Sequence, residues 1–180
     1  MLQLDFTISG GERVTKMLLN VANRCQNLGP AWELIHDDFL AMEEEQFSSQ
    51  GKGGWDPWTD DYREWRAKQN APSSRLMEWD GKLRQSLTEK GVATSGHVFE
   101  SGPMWAKYGT DVTTKSGYGL GLSHHYGYKV PTPYGNPKAK SKSVEPRKLI
   151  ELDEAHKREW VRLIQGYIMQ SRSIYPEHFG

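Results

Sequence analysis

The chain has 180 residues, 36% of them hydrophobic and 26% charged, and its 23 basic and 23 acidic side chains leave a formal net charge of zero. That balance argues against a dedicated nucleic-acid binder, and a single cysteine excludes an internal disulfide framework and fits a reducing compartment. No apolar run approaches the roughly 18 residues of a membrane span, and no basic-then-apolar leader opens the sequence, so a soluble, non-exported protein without membrane contact is expected.

A mean hydropathy of −0.75 is lean for a self-contained globule, although seven Trp and eight Tyr partly compensate, since each aromatic side chain buries about 150–250 Å². The length suits one α+β domain over residues 1–180, completed against partner subunits. Alternating Leu2, Leu4, Phe6 and Ile8 predict a half-buried N-terminal strand ending at Gly10-Gly11. Val14, Met17, Leu18, Val21, Ala22, Cys25 and Leu28 recur at three and four residues and predict a helix with Cys25 in its buried stripe. Gly29-Pro30 ends or kinks that helix. The period resumes with Trp32, Ile35, Phe39, Met42 and Phe47, giving one long broken helix.

The stretch FSSQGKGGWDPWTDDYREW, residues 47–65, then places three tryptophans in a glycine-rich loop. Gly51, Gly53 and Gly54 let the backbone reverse at close range, and a short helix over 60–69 is expected. Ser73 and Ser74 are candidate N-caps for a further helix carrying Leu76, Trp79, Leu83 and Leu87, with Gly91 as its stop and Gly81 as a weak point inside it. From Val92 to Pro133 the texture becomes short, aromatic and β-branched (HVFES, MWAKYGTDV, YGLGLSHHYGYKV), which predicts strands and hairpins of a small antiparallel sheet. Residues 129–148 form a basic arm, ordered only by a partner or left exposed. A last amphipathic helix starts near Leu152, with Ala155, Trp160, Leu163, Ile164, Tyr167 and Ile168 on its buried face.

Little in this pattern supports chemistry. His124-His125, read as strand neighbours, point to opposite faces and cannot readily share a metal; His97, His156 and His178 lack ligand spacing, and neither HExxH nor a Cys pair is present. An HNH-type nuclease built on His124-His125 and Asn136 would have only Asp153 and His156 as further ligands. GKGG and GYGLG lack the Gly-Lys-Ser/Thr ending of a P-loop. Glu43, Glu44 and Glu45 read as a solvated face, directed about 100° apart. No catalytic residue, metal ligand or cofactor is therefore assigned.

Charge is nevertheless segregated. Residues 33–61 carry nine acids and one base, and residues 129–148 carry six bases and one acid. Such patches suit head-to-tail association, with Lys138, Lys140, Lys142, Arg147 and Lys148 facing Glu43, Glu44 and Glu45 of a neighbour. Two solvated faces that never meet, or an arm with Tyr126 and Tyr134 nearby that follows a phosphate backbone, are the other readings.

Four segments in order, FSSQGKGGWDPWTDDYREWRAK, SRLMEWDGKLRQSLT, MWAKYGTDV and EPRKLIELDEAHKREWVRLI, resemble the phage virion morphogenesis or tail-completion family, which includes the G protein of phage Mu. The resemblance covers about residues 42–170. It rests on a helix ending in Phe, a Gly and a Trp-Pro turn, on a Leu-x-x-x-Gly-x-Leu-type turn matched by 77–87, and on a Pro-Arg segment entering the last helix. Tyr108-Gly109 replaces the family's longer Tyr-Ala-x-x-His-Gln-x-Gly, and the region 118–138 is unusually long. The resemblance implies a small non-enzymatic α+β subunit in a homo-oligomeric ring, sixfold in the family, at the neck of a tailed virion after assembly in the host cytoplasm. Its implied partners are itself, other neck and tail-tube proteins, and DNA in the channel. It places Gly51, Trp55, Pro57, Trp58 and Gly81 in structural turns. A nucleic-acid-processing or metal-dependent enzyme and a non-virion assembly adaptor are the alternative readings.

Overall fold

The computed structural model describes residues 10–71, 73–90, 96–114, 117–130 and 142–170. The chain is α+β: α1 (Gly11–Gln26), α2 (Gly29–Ser48), α3 (Asp60–Lys68) and α4 (Lys82–Thr88) precede β1 (His97–Gly102) and β2 (Trp105–Thr110), followed by α5 (Leu120–Tyr126), β3 (Tyr128–Val130), β4 (Lys142–Val144) and α6 (Glu154–Met169). The strands form two separate two-stranded sheets, β1-β2 and β3-β4. The two-residue connection between β1 and β2 makes theirs a hairpin. The antiparallel register of the other pair is Tyr128↔Val144, Lys129↔Ser143 and Val130↔Lys142. The expected N-terminal strand and the stop at Gly91 lie outside the described residues.

Two compact units emerge. One holds residues 10–35, 101–106 and 154–170; the other holds 36–100 and 107–153. In the first, the helix break falls at Asn27-Leu28. The Asn27 side chain accepts from the Gly29 amide (3.0 Å), and Pro30 sits in the opening turn of α2, where its missing N–H would have had no intrahelical partner. Leu28 and Ala31 are buried, while the Leu28 amide donates to the Pro103 carbonyl (2.7 Å) and the Trp32 indole to the Gly102 carbonyl (3.0 Å). Tyr167 of α6 donates to the Asn27 carbonyl (2.9 Å) and Arg24 of α1 to the Ile168 carbonyl (3.3 Å). Within α1 the expected stripe is not core: no residue of the helix is buried, Val14 and Leu18 are 58% and 62% exposed, and Cys25 is exposed, while Leu28 just past its end is buried. On α6, Trp160, Leu163, Ile164, Tyr167 and Ile168 are half-buried, while Ala155 is exposed.

The second unit contains most of the core: Phe39, Leu40, Met42 and Phe47 of α2, Leu83 and Leu87 of α4, with Trp55, Val112 and Leu149. Each full burial of such an aliphatic or Phe side chain stabilises the fold by about 1.5–3 kcal/mol. The helix expected from Ser73-Ser74 begins only at Lys82, after Gly81 at φ +81°. Its missing first part has a physical cause. Arg66 of α3 donates to the carbonyls of Ser73 and Glu78, so a side chain takes acceptors that a helix would need. Met77 turns there at φ +62°.

YGLGLSHHY is a correction as well: the expected strand is helix α5, capped by Gly119. Gly121 explains its position, because a Cβ there would lie 2.6 Å from the Thr110 methyl of β2.

Candidate assembly surface

The glycine-rich turn and the Pro-Arg segment bind each other. After α2, the chain reverses through Gln50, Gly51, Lys52 and Gly53, all at positive φ. Gly51 is required on two counts. Its φ is +73°, and a Cβ would lie 2.3 Å from the Trp55 ring. The indole of Trp55 is thereby laid against α2, edge-on to Phe47 with centroids 5.6 Å apart, and it is buried. Its Nε1 donates to the Lys148 carbonyl (2.9 Å), which also accepts from Gln46 Nε2 (3.0 Å). In return Arg147 donates from Nε (3.1 Å) and Nη2 (2.8 Å) to the Asp56 carbonyl. Two segments about ninety residues apart are thus locked by four hydrogen bonds, two of them charge-assisted.

Beyond the turn, α3 carries Tyr62 and Trp65, and Trp58 stands just ahead of its cap. Thr59 caps the helix, accepting from the Tyr62 amide. The Arg66 guanidinium lies between two indoles, its carbon 4.1 Å from the Trp58 ring centroid and 4.6 Å from that of Trp79. Buried, and bonded to the Ser73 and Glu78 carbonyls, it fixes both rings. The aromatics then run in contact: Trp58 edge-on to Tyr62 (5.8 Å), Tyr62 stacked on Trp65 (5.4 Å), and Trp65 against Trp79 (5.7 Å). Tyr62, Trp65 and Trp79 remain 41%, 47% and 40% exposed. A rigid, half-exposed aromatic ridge therefore stands on the surface, with Asp56, Asp60, Asp61 and Glu64 exposed beside it in sequence.

A third group is buried and polar. His97 Nδ1 lies 2.7 Å from the Ser86 carbonyl, which can only accept, so Nδ1 carries the proton. His97 Nε2 and His36 Nε2 share a hydrogen bond at 3.0 Å, and the buried His36 Nδ1 has no hydrogen-bond partner. Phe99 stacks on His36 with centroids 4.1 Å apart, and Tyr108 closes the stack. Burial, then the charges of His97 and Lys90, hold the His36 imidazole down at about 4. Two turns on along α2, Glu43 is fully buried and neither carboxyl oxygen has a hydrogen-bond partner. Burial pushes its pKa up to about 8, so it is held as the neutral acid near pH 7. On α5, burial and the Arg147 charge hold His124 at about 4.

These positions correct several expectations. Glu43 is not part of a solvated acidic face and offers no charge to a neighbour. The helical period explains this: 43 falls on the face of Phe39 and Phe47. Glu44 is paired with Arg84 through two hydrogen bonds, and Glu45 is exposed. Arg147 is buried in the Asp56 clamp and is not a free cation of the arm. Lys148 is exposed, pairs with Glu151 (3.1 Å), and uses its carbonyl for the clamp. Lys142 contributes backbone to β4, while Lys138 and Lys140 lie outside the described residues. In the turn, Trp58 is half-buried against Arg66 and Pro57 is exposed. His124 and His125 sit on a helix, where the His124 carbonyl accepts from the Arg147 amide (2.8 Å) and His125 Nδ1 from the Leu149 amide (3.3 Å). The Arg66 box was not anticipated, although the 58-62-65 spacing carried its signal.

Among the described residues, no group of three or more His, Cys, Asp or Glu is placed to hold a metal ion, and no helix is long and apolar enough to cross a membrane. No protein-family model, curated protein or solved structure matches the chain.

Proposed function

We propose that the chain is a non-enzymatic structural protein of a tailed-bacteriophage particle, a tail-completion or neck subunit that joins head to tail within a homo-oligomeric ring. The observation that carries this reading is the use of all four resembling segments as architecture. The Trp-Pro turn and the Pro-Arg segment clamp each other through Trp55, Lys148, Arg147 and Asp56. Gly81 starts α4, and the third segment supplies β2. Support also comes from apolar surface left uncovered on α1 at Val14, Met17, Leu18 and Leu19, of the kind that assembly covers.

On this reading the sixfold symmetry of the resembling family, contacts with other neck and tail-tube proteins, and passage of DNA through the ring come with the role, as does residence at the virion neck. Phage deleted for the chain tests it. Full heads and finished tails are expected to accumulate unjoined, and complementation restores joining. Infectious particles of normal morphology from the deletion would overturn the proposal.

A further inference from the structure

We propose that the exposed ridge of Tyr62, Trp65 and Trp79 is the seat for the proline- and lysine-bearing segment 131–142 of a second copy of the chain. This rests on the structural role proposed above and names the surface through which copies meet.

The ridge has three properties that a docking surface needs. It is exposed, with about two-fifths to one-half of each ring open. It is rigid, because Arg66 lies between Trp58 and Trp79 and fixes the backbone between them through the Ser73 and Glu78 carbonyls; little entropy remains to be lost on binding. It is also electronegative, since ring faces attract cations and residues 56–66 hold four carboxylates (Asp56, Asp60, Asp61, Glu64) against two guanidiniums (Arg63 and the buried Arg66), a formal −2. An aromatic surface with an acidic margin is the surface that proline-rich segments with flanking bases recognise.

The chain contains such a segment. Residues 131–142 read PTPYGNPKAKSK, with Pro131, Pro133 and Pro137 followed by Lys138, Lys140 and Lys142, and no acid occurs from 129 to 144. The register Val130↔Lys142 makes it the connection between paired strands β3 and β4, tethered at both ends. Prolines lie flat on indole and phenol faces with little conformational entropy left to lose, and the lysines meet the carboxylates and ring faces. Copies joined this way, each offering one ridge and one segment, associate head to tail.

Sedimentation velocity of the full chain, with two complementary variants, tests this. Trp65→Ala removes the centre of the ridge; Lys138→Glu/Lys140→Glu reverses the charge of the segment outside the paired strands β3 and β4. Each variant alone is expected to self-associate at least about tenfold more weakly than the unaltered chain, the loss of one well-desolvated cation–aromatic contact. Mixed in equal amounts, they are expected to form a species of two chains, since one variant keeps the segment and the other keeps the ridge. A fluorescent peptide of residues 129–144 is expected to bind the lysine variant and not Trp65→Ala. Unaltered self-association of both variants, a mixture that stays as single chains, or equal peptide binding by both overturns the proposal, including the case in which the segment covers the ridge of its own chain. Loss of this contact in a protein still required for head–tail joining would refute the ridge and leave the structural role standing.

Discussion

Replacing Glu43 by glutamine should remove most of one titration from the folding equilibrium. The folded carboxyl is fully buried with neither oxygen hydrogen-bonded, and its pKa stands at about 8 against an ordinary 4.5. The folded-state value is the raised one, so the native state binds the extra proton. The Glu43 contribution to stability is therefore full below pH 4.5 and is lost as pH rises through 8. At about 1.36 kcal/mol per pH unit, the loss between pH 5 and pH 8 is roughly 3–4 kcal/mol, a large fraction of a domain's usual 5–15 kcal/mol. Glutamine has nearly the same shape and also leaves its polar atoms unpaired, so the cost of that desolvation is similar for amide and neutral acid. Urea denaturation of both proteins at pH 5, 6, 7 and 8 measures the difference. The curves are expected to start close at pH 5 and diverge until Glu43→Gln is the more stable by roughly 3 kcal/mol at pH 8. Parallel curves would refute the reasoning, because they would mean that Glu43 is already ionised and compensated at neutral pH.

The acid side is set by two histidines held near 4, His36 and His124. Their folded values lie below the unfolded 6.5, so stability falls as pH drops from 6.5 toward 4. Two such protons outweigh the single Glu43 proton, which places maximal stability near pH 6.5, and His36→Phe is expected to flatten the acid limb in thermal denaturation. Trp55→Ala removes a buried indole together with its hydrogen bond to Lys148; a loss of about 3–5 kcal/mol is expected in chemical denaturation, and a loss below 1 kcal/mol would put the turn outside the core. Gly51→Ala forces the same indole away and should reproduce much of that loss, with a further cost from positive φ. Arg147→Lys keeps the charge and loses the two-pronged grip on Asp56, for an expected 1–3 kcal/mol.

Much of the fold was legible where period alone decides. α2 and α6 follow from their three-and-four spacing, and the turn followed from three glycines before Trp55. What could not be read was set by distant residues. α4 is short because Arg66 takes the carbonyls of Ser73 and Glu78, and α5 is a helix lodged against Thr110 by Gly121, although its Gly-aromatic texture suggests a strand. Glu43 was readable in principle, since its place in the 39-43-47 series outranks its charge. The stripe of α1 misled for the opposite reason, for apolar spacing marks a face to be covered without saying what covers it.

The central claim is that this chain is a part of the particle. Quantitative mass spectrometry of purified virions tests it most directly. The account predicts the chain at a fixed low copy number, equal to one ring per particle; its absence from washed, infectious particles would contradict it.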